Sequence, residues 1–148
     1  MRRIARFFRI SPSDQGLLLR TGLLVALVRA GLTLSSFDAI QRLLNRWGRH
    51  TTSLEVASVD ASTERVVWAV RTASRYVPAA SCLTQALAAH ALLDRRGLPN
   101  ELRIGVARNK HREFEAHAWI EVGGEVVLGY LEDLERYTPL DAGRSEHA

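Results

Sequence analysis

The chain is short of sulfur and of lysine, and each scarcity narrows what it can be. Cys82 is the only cysteine in 148 residues, so no internal disulfide can form and one thiol is left free for chemistry. Nothing else in the sequence argues for secretion, and a reducing cytoplasm is the expected location. Lys110 is the only lysine, so the basic residues are almost all arginine, and the net charge of +4 is modest. That usage fits a GC-rich gene better than a nucleic-acid partner, and nucleic-acid binding rests on charge alone. A nucleotide-binding glycine loop, a CxxC pair and a metal-spaced His/Asp/Glu cluster are all missing, so neither ATP nor zinc nor any other cofactor is expected. Repeats and low-complexity tracts are missing too. The long apolar run, Leu17 to Leu34, is interrupted by Arg20 and Arg29. A central arginine costs about 2.5 to 3.5 kcal/mol on insertion, so no transmembrane segment is expected.

What is present suffices for one core, with 47% hydrophobic residues, but is short for two. Residues 1–50 read as a helical region and residues 63–141 as the domain proper, with polar residues 50–62 as linker. Ser11-Pro12-Ser13-Asp14 starts a helix. This helix runs from about Gln15 to Gly31, its leucines and valines cover more than one stripe, and it is expected to be largely buried. A second helix carries Phe37, Ile40, Leu43, Leu44 and Trp47 to Gly48, and a third spans residues 63–76. A fourth runs from Cys82 to Arg96, stopped by Gly97-Leu98-Pro99. Trp47 and Trp68 read as core. Beyond Pro99 the period falls to two, giving strands near 101–107, 114–122 and 125–131, the last two joined by Gly123-Gly124, a primed hairpin turn. Helices first and three antiparallel strands after them make an α+β fold. The arginines at 2, 3, 6 and 9, and those at 42, 46 and 49, read as solvated faces, or as docking surfaces for an acidic partner or a membrane.

The chemistry centres on Cys82. Alone, a cysteine among alanines and leucines is an inert core residue. Here it follows a Ser81 cap at the amino end of a helix, where partial positive charge favours a thiolate. Its helical neighbours Ala86, Ala89 and Leu93 would let that face sit close to a sheet. Of five histidines, His90 lies about 12 Å along the same helix, His50 and His111 fall in polar connections, and His147 is in the terminal tail. His117 remains, on a strand with Glu115, Trp119 and Glu121 on its face, opposite Phe114, Ala116, Ala118 and Ile120. Alternation alone leaves open which face meets the cysteine helix. Cysteine at a helix start and histidine on a strand make a nucleophile and base. Gln85, one turn beyond Cys82, either serves the helix or lines a peptide groove; Trp119 is either cleft wall or packing.

The motifs Cys82-Leu83, Gln85-Ala86, Arg96-Gly97-Leu98-Pro99, Leu102-Arg103-Ile104-Gly105-Val106 and Ala116-His117-Ala118-Trp119, in this order, resemble the B-type maturation proteases of lasso-peptide clusters. Pro78, Leu92-Leu93, Gly124, Val127 and Tyr137-Thr138-Pro139-Leu140 extend the likeness over most of the chain. The resemblance implies a transglutaminase-like, papain-like core and a thiol protease that removes the leader from a ribosomally made precursor, with Cys82 as nucleophile and His117 as base. Its implied partners are the precursor peptide, a separate leader-peptide recognition protein and an ATP-dependent lasso cyclase, since the first fifty residues read as helices rather than as a β-rich leader-binding module.

The sequence departs from that family at the third catalytic position, usually an aspartate across from the histidine. Counting from Gly123-Gly124, His117 falls opposite Tyr130, next to Gly129, and neither is a carboxylate. Glu132 or Asp133 would have to return through a bulge, or a backbone carbonyl would orient the ring. The missing aspartate motivates an alternative, a catalytically weak or inactive docking subunit that presents the precursor to the cyclase. Acyl transfer to an amine is a third possibility sharing the same thioester.

Overall fold

The computed structural model describes residues 11–48 and 59–140. The arginines at 2, 3, 6, 9 and 49, His50, His147, most of the expected linker and the Trp47 side chain lie outside the described residues. Among the described residues, four helices precede a small sheet: α1 (Pro12–Leu34), α2 (Phe37–Gly48), α3 (Ala61–Ser74) and α4 (Cys82–Arg95), then β1 (Glu101–Arg108), β2 (Phe114–Val122), β3 (Glu125–Leu128), a 3-10 turn (Leu134–Arg136) and β4 (Thr138–Leu140). The α+β architecture expected from the switch in period is the one observed. Caps place the helix starts: Ser11, Asp60 and Ser81 each accept a first-turn amide through the side chain, satisfying donors that a helix leaves without partners. Helix α4 ends as Arg96-Gly97-Leu98-Pro99 anticipated. Gly97 takes φ +68, and the Leu98 and Gly97 amides return to the carbonyls of Leu93 and Asp94, closing the helix in a left-handed turn.

The sheet is antiparallel, ordered β3-β2-β1-β4. Gly123 and Gly124 both have positive φ, +59 and +84, as the primed turn between β2 and β3 requires. β3 is shorter than expected because a bulge between Ile120 and Glu121 shifts the register, and an extra residue in one strand ends regular pairing. Ile120 therefore faces Leu128, so the counting that put His117 opposite Tyr130 is displaced. The fourth strand was not anticipated; it is three residues long and contains Pro139, which confines it to a sheet edge.

One core lies between α3, α4 and the sheet. Val66 and Val70 from α3, Ala86, Ala89 and Leu93 from α4, and Ala118, Ile120 and Leu128 from the strands are buried together. The alanines of α4 admit the sheet at close range, as their common face suggested. A second cluster joins Val28 of α1 and Leu44 of α2 to Leu87 and Ala91 on another side of α4, so α4 is the central helix. Two expectations fail. Although α1 is long and apolar enough by length and composition to cross a membrane, it is not largely buried. Leu18, Thr21, Val25 and Val28 face the domain, while Leu19, Leu23 and Leu27 are more than 60% exposed. Trp68 is 39% exposed rather than core, because Val66, Val67 and Val70 already fill the side of α3 that faces α4 and the sheet.

Candidate active site

Cys82 occupies the first position of α4 and is half-buried. Ser81 sets this helix start: its hydroxyl accepts from the Thr84 amide at 3.3 Å and lies 3.1 Å from the Thr84 hydroxyl, while its carbonyl accepts from the Gln85 amide at 3.0 Å. Among the described residues, the amides of Cys82 and Leu83 have no hydrogen-bond partner, as is usual for donors of a first helical turn. Three residues upstream Ala79 has φ +57, a left-handed conformation that costs a non-glycine residue about 1 to 3 kcal/mol. Gln85 turns back onto this loop, donating from Nε2 to the Ala80 carbonyl at 3.3 Å. This bond braces the approach to the helix.

His117 sits half-buried in β2, paired with Gly105 of β1. The apolar face of β2 packs on the cysteine helix through Ala118 and Ile120, so the histidine face looks away from the body of α4. It is covered instead by residues 129–137, which leave β3 at one edge of the sheet and cross to β4 at the other. There Trp119, Ala107 and Tyr137 are buried together against Leu131 and Leu134. Gly105 is what lets the tryptophan lie flat across β1, since a Cβ there would come within 2.9 Å of its ring. Trp119 is 3% exposed and donates its indole N–H to Glu121 at 2.7 Å; it is packing rather than cleft wall.

The imidazole is held on three sides. Trp119 stacks near-parallel, centroids 6.1 Å apart at 15°, and the Tyr137 ring is tilted against it at 5.6 Å. Its Nε2 lies 2.7 Å from the Gly129 carbonyl oxygen. A carbonyl only accepts, so Nε2 carries the proton, and in the neutral ring Nδ1 is the free base. Glu132 is exposed, and Asp133 is engaged by the Arg136 guanidinium at 2.6 Å. Neither expected carboxylate orients the ring; the backbone does. The Cys82 thiol makes no hydrogen bond to His117 or to any other described residue.

Charged neighbours brace this side of the sheet. Arg136 donates to Glu115 at 2.7 Å and to the Tyr137 oxygen at 3.1 Å, with its guanidinium 4.7 Å over the tyrosine ring. Burial foremost raises the Tyr137 phenol above its ordinary range, and the hydrogen bond to Glu115 foremost raises the Arg136 guanidinium. Tyr137 and Arg136 support the site without having been singled out for it, since a three-residue strand preceded by a single turn leaves no periodic signal. At the other end of α4, His90 pairs with Asn100 at 2.7 Å, and Asn100 bonds Asp94 at the same distance, fastening the helix end to β1. This accounts for the histidine excluded on distance.

Compared with known protein families, residues 24–142 match the model of the transglutaminase-like superfamily. No curated protein and no solved structure matches the chain. That superfamily includes cysteine peptidases and acyltransferases. The match runs from within α1 to just past β4 and takes in Cys82, His117 and every strand of the sheet; the chain belongs to the transglutaminase-like superfamily.

Proposed function

We propose that the protein is a cysteine peptidase that removes the leader from a ribosomally made lasso-peptide precursor, working in the cytoplasm with a separate leader-recognition protein and the lactam-forming cyclase. The observation that carries this reading is the His117 Nε2 to Gly129 carbonyl bond, which leaves Nδ1 as the base without any carboxylate. In the precursor complex Nδ1 takes the Cys82 thiol proton, and the sulfur attacks the carbonyl carbon at the leader–core junction. The tetrahedral oxyanion is met by the first-turn amides of α4, each such donor being worth about 3 to 4 kcal/mol. The imidazolium then protonates the departing amine as the C–N bond breaks, and water hydrolyses the thioester to release the leader acid and regenerate the thiol. The sequence likeness of the cysteine, histidine and RGLP motifs supports the choice of substrate.

Incubating the protein with a precursor peptide and the leader-recognition protein, and weighing the products, tests this. Cleavage by wild type and none by Cys82→Ala is expected; equal cleavage by the variant sinks the proposal. A product joined to an added amine would mark acyl transfer instead of hydrolysis. The absence of a Cys82–His117 hydrogen bond among the described residues favours one second reading, a docking subunit that presents the precursor to the cyclase. It requires wild type to bind precursor without cutting it, and Cys82→Ala to bind equally.

A further inference from the structure

A large open groove of about 1130 Å³ runs between α1, α2 and the carboxy end of α4, about 20 Å along α4 from Cys82. Its floor includes the buried Val28 and Leu44. The walls are unusual for a protein surface: Leu23, Leu27 and Leu43 line the groove and are 64%, 61% and 63% exposed. Single exposed leucines need no explanation, but several around one concavity do. Among the described residues, no acidic side chain lines the groove, while arginines do. Arg65 is paired with Asp14; Arg20 and Arg96 make no ion pair with a described residue.

We propose that this groove docks an amphipathic helix of a partner protein, one whose apolar stripe is flanked by glutamate or aspartate. A helix laid in an apolar groove presents side chains at i, i+3, i+4 and i+7, which suits walls built from Leu23 and Leu27 one turn apart. Charge decides among occupants. A second copy would bring one arginine rim against another. The chain's first ten residues carry Arg2, Arg3, Arg6 and Arg9 and would meet the same repulsion. An anionic partner gains from the rim in both encounter rate and register. The concavity between two helices fits an inserted helix better than a flat lipid surface. This site is separate from the thiol chemistry and does not depend on it.

The test titrates the full-length protein with a synthetic helical peptide carrying leucines at i, i+3, i+4 and i+7 and glutamates on both flanks, followed by amide chemical shifts. Expected are shifts confined to α1, α2 and the end of α4, binding that weakens with salt, and losses of about tenfold or more in Leu23→Asp and in Arg20→Glu. Both residues are exposed, so unchanged melting curves should show that the variants fold, and Cys82→Ala should bind like wild type. No binding by this peptide overturns the proposal, and so does equal binding of the same peptide with lysine for glutamate. Tighter association with phosphatidylglycerol vesicles assigns the groove to a membrane instead. Dimerisation abolished by Leu23→Asp assigns it to a second copy, and displacement of the probe by a peptide of residues 1–10 assigns it to the chain's own amino end.

Discussion

The imidazole of His117 is anchored by the main chain of Gly129, Nε2 to carbonyl oxygen at 2.7 Å, the backbone alternative to Glu132 or Asp133. That carbonyl is in place because Gly129 has φ +84 and no Cβ; a Cβ would lie 2.8 Å from the Ala118 carbonyl oxygen and 2.9 Å from the Trp119 Cβ. Gly129→Ala is therefore expected to destabilise the fold by about 1 to 3 kcal/mol and to suppress cleavage through a misplaced ring. Thermal unfolding and the precursor assay check this, and wild-type values in both would remove Gly129 from the site.

Gly105 is the second close approach. A Cβ there meets the Trp119 ring at 2.9 and 3.0 Å and the Tyr137 Cβ at 3.0 Å, and both rings are buried. Gly105→Ala should cost about 1 to 3 kcal/mol by overpacking. It should also change the near-ultraviolet signal of Trp119; an unshifted spectrum with a lowered melting point would place the strain elsewhere.

Ser81 caps the helix that begins with Cys82. Removing its hydroxyl frees the Thr84 amide and strips a neighbour from the fully buried Thr84 hydroxyl. Ser81→Ala should lose about 1 kcal/mol or somewhat more, and Ser81→Asp should restore most of it. Chemical denaturation measures both, and failure of the aspartate to rescue would mean the cap is not the cause.

Asp60 caps α3, and the backbone hydrogen bond from Thr63 is the leading reason its carboxyl lies below the ordinary range. A depressed folded value means the stabilisation is complete above the unfolded value of about 3.9 and disappears as pH falls through the lower folded value. Asp60→Asn keeps the cap but does not titrate, so its melting temperature should fall less steeply below pH ~4. Parallel curves for the two proteins would contradict this.

Cys82 and His117 share no hydrogen bond in the free protein, so the histidine should matter to the thiol only once precursor is bound. Alkylation by iodoacetamide in the free protein should be the same in wild type and His117→Ala. In the presence of precursor and leader-recognition protein, cleavage by the variant should fall by about 10² to 10⁴, the range of a lost general base. A histidine-dependent alkylation rate without peptide would show that the pair is already formed.

Local patterning was legible wherever one residue type dictates one backbone geometry. Gly97 ends α4 and Gly123-Gly124 turn the hairpin because the left-handed region favours glycine. Ser81 starts the cysteine helix because its hydroxyl reaches a first-turn amide. Alternation from Phe114 to Val122 placed β2 to the residue. Faces were harder: the same alternation sorted His117 from Ala118 without saying which side the cysteine helix would take, since period two distinguishes faces but carries no information about what covers them. Trp68 and Leu27 were misjudged for a related reason, as apolar character records what a side chain tolerates and not whether neighbours remain to bury it.

From the order of residues alone came the helix-then-strand architecture, the helix carrying the only thiol at its amino end, and the strand carrying the histidine. Only the folded chain decided that a bulge beside Ile120 shifts the register and that a main-chain carbonyl holds the ring, with residues 129–137 roofing the histidine face. The division has one physical cause. Caps, turns and periods are set by groups a few residues apart, whereas a bulge, a crossover and an orienting carbonyl arise from how distant segments settle against one another.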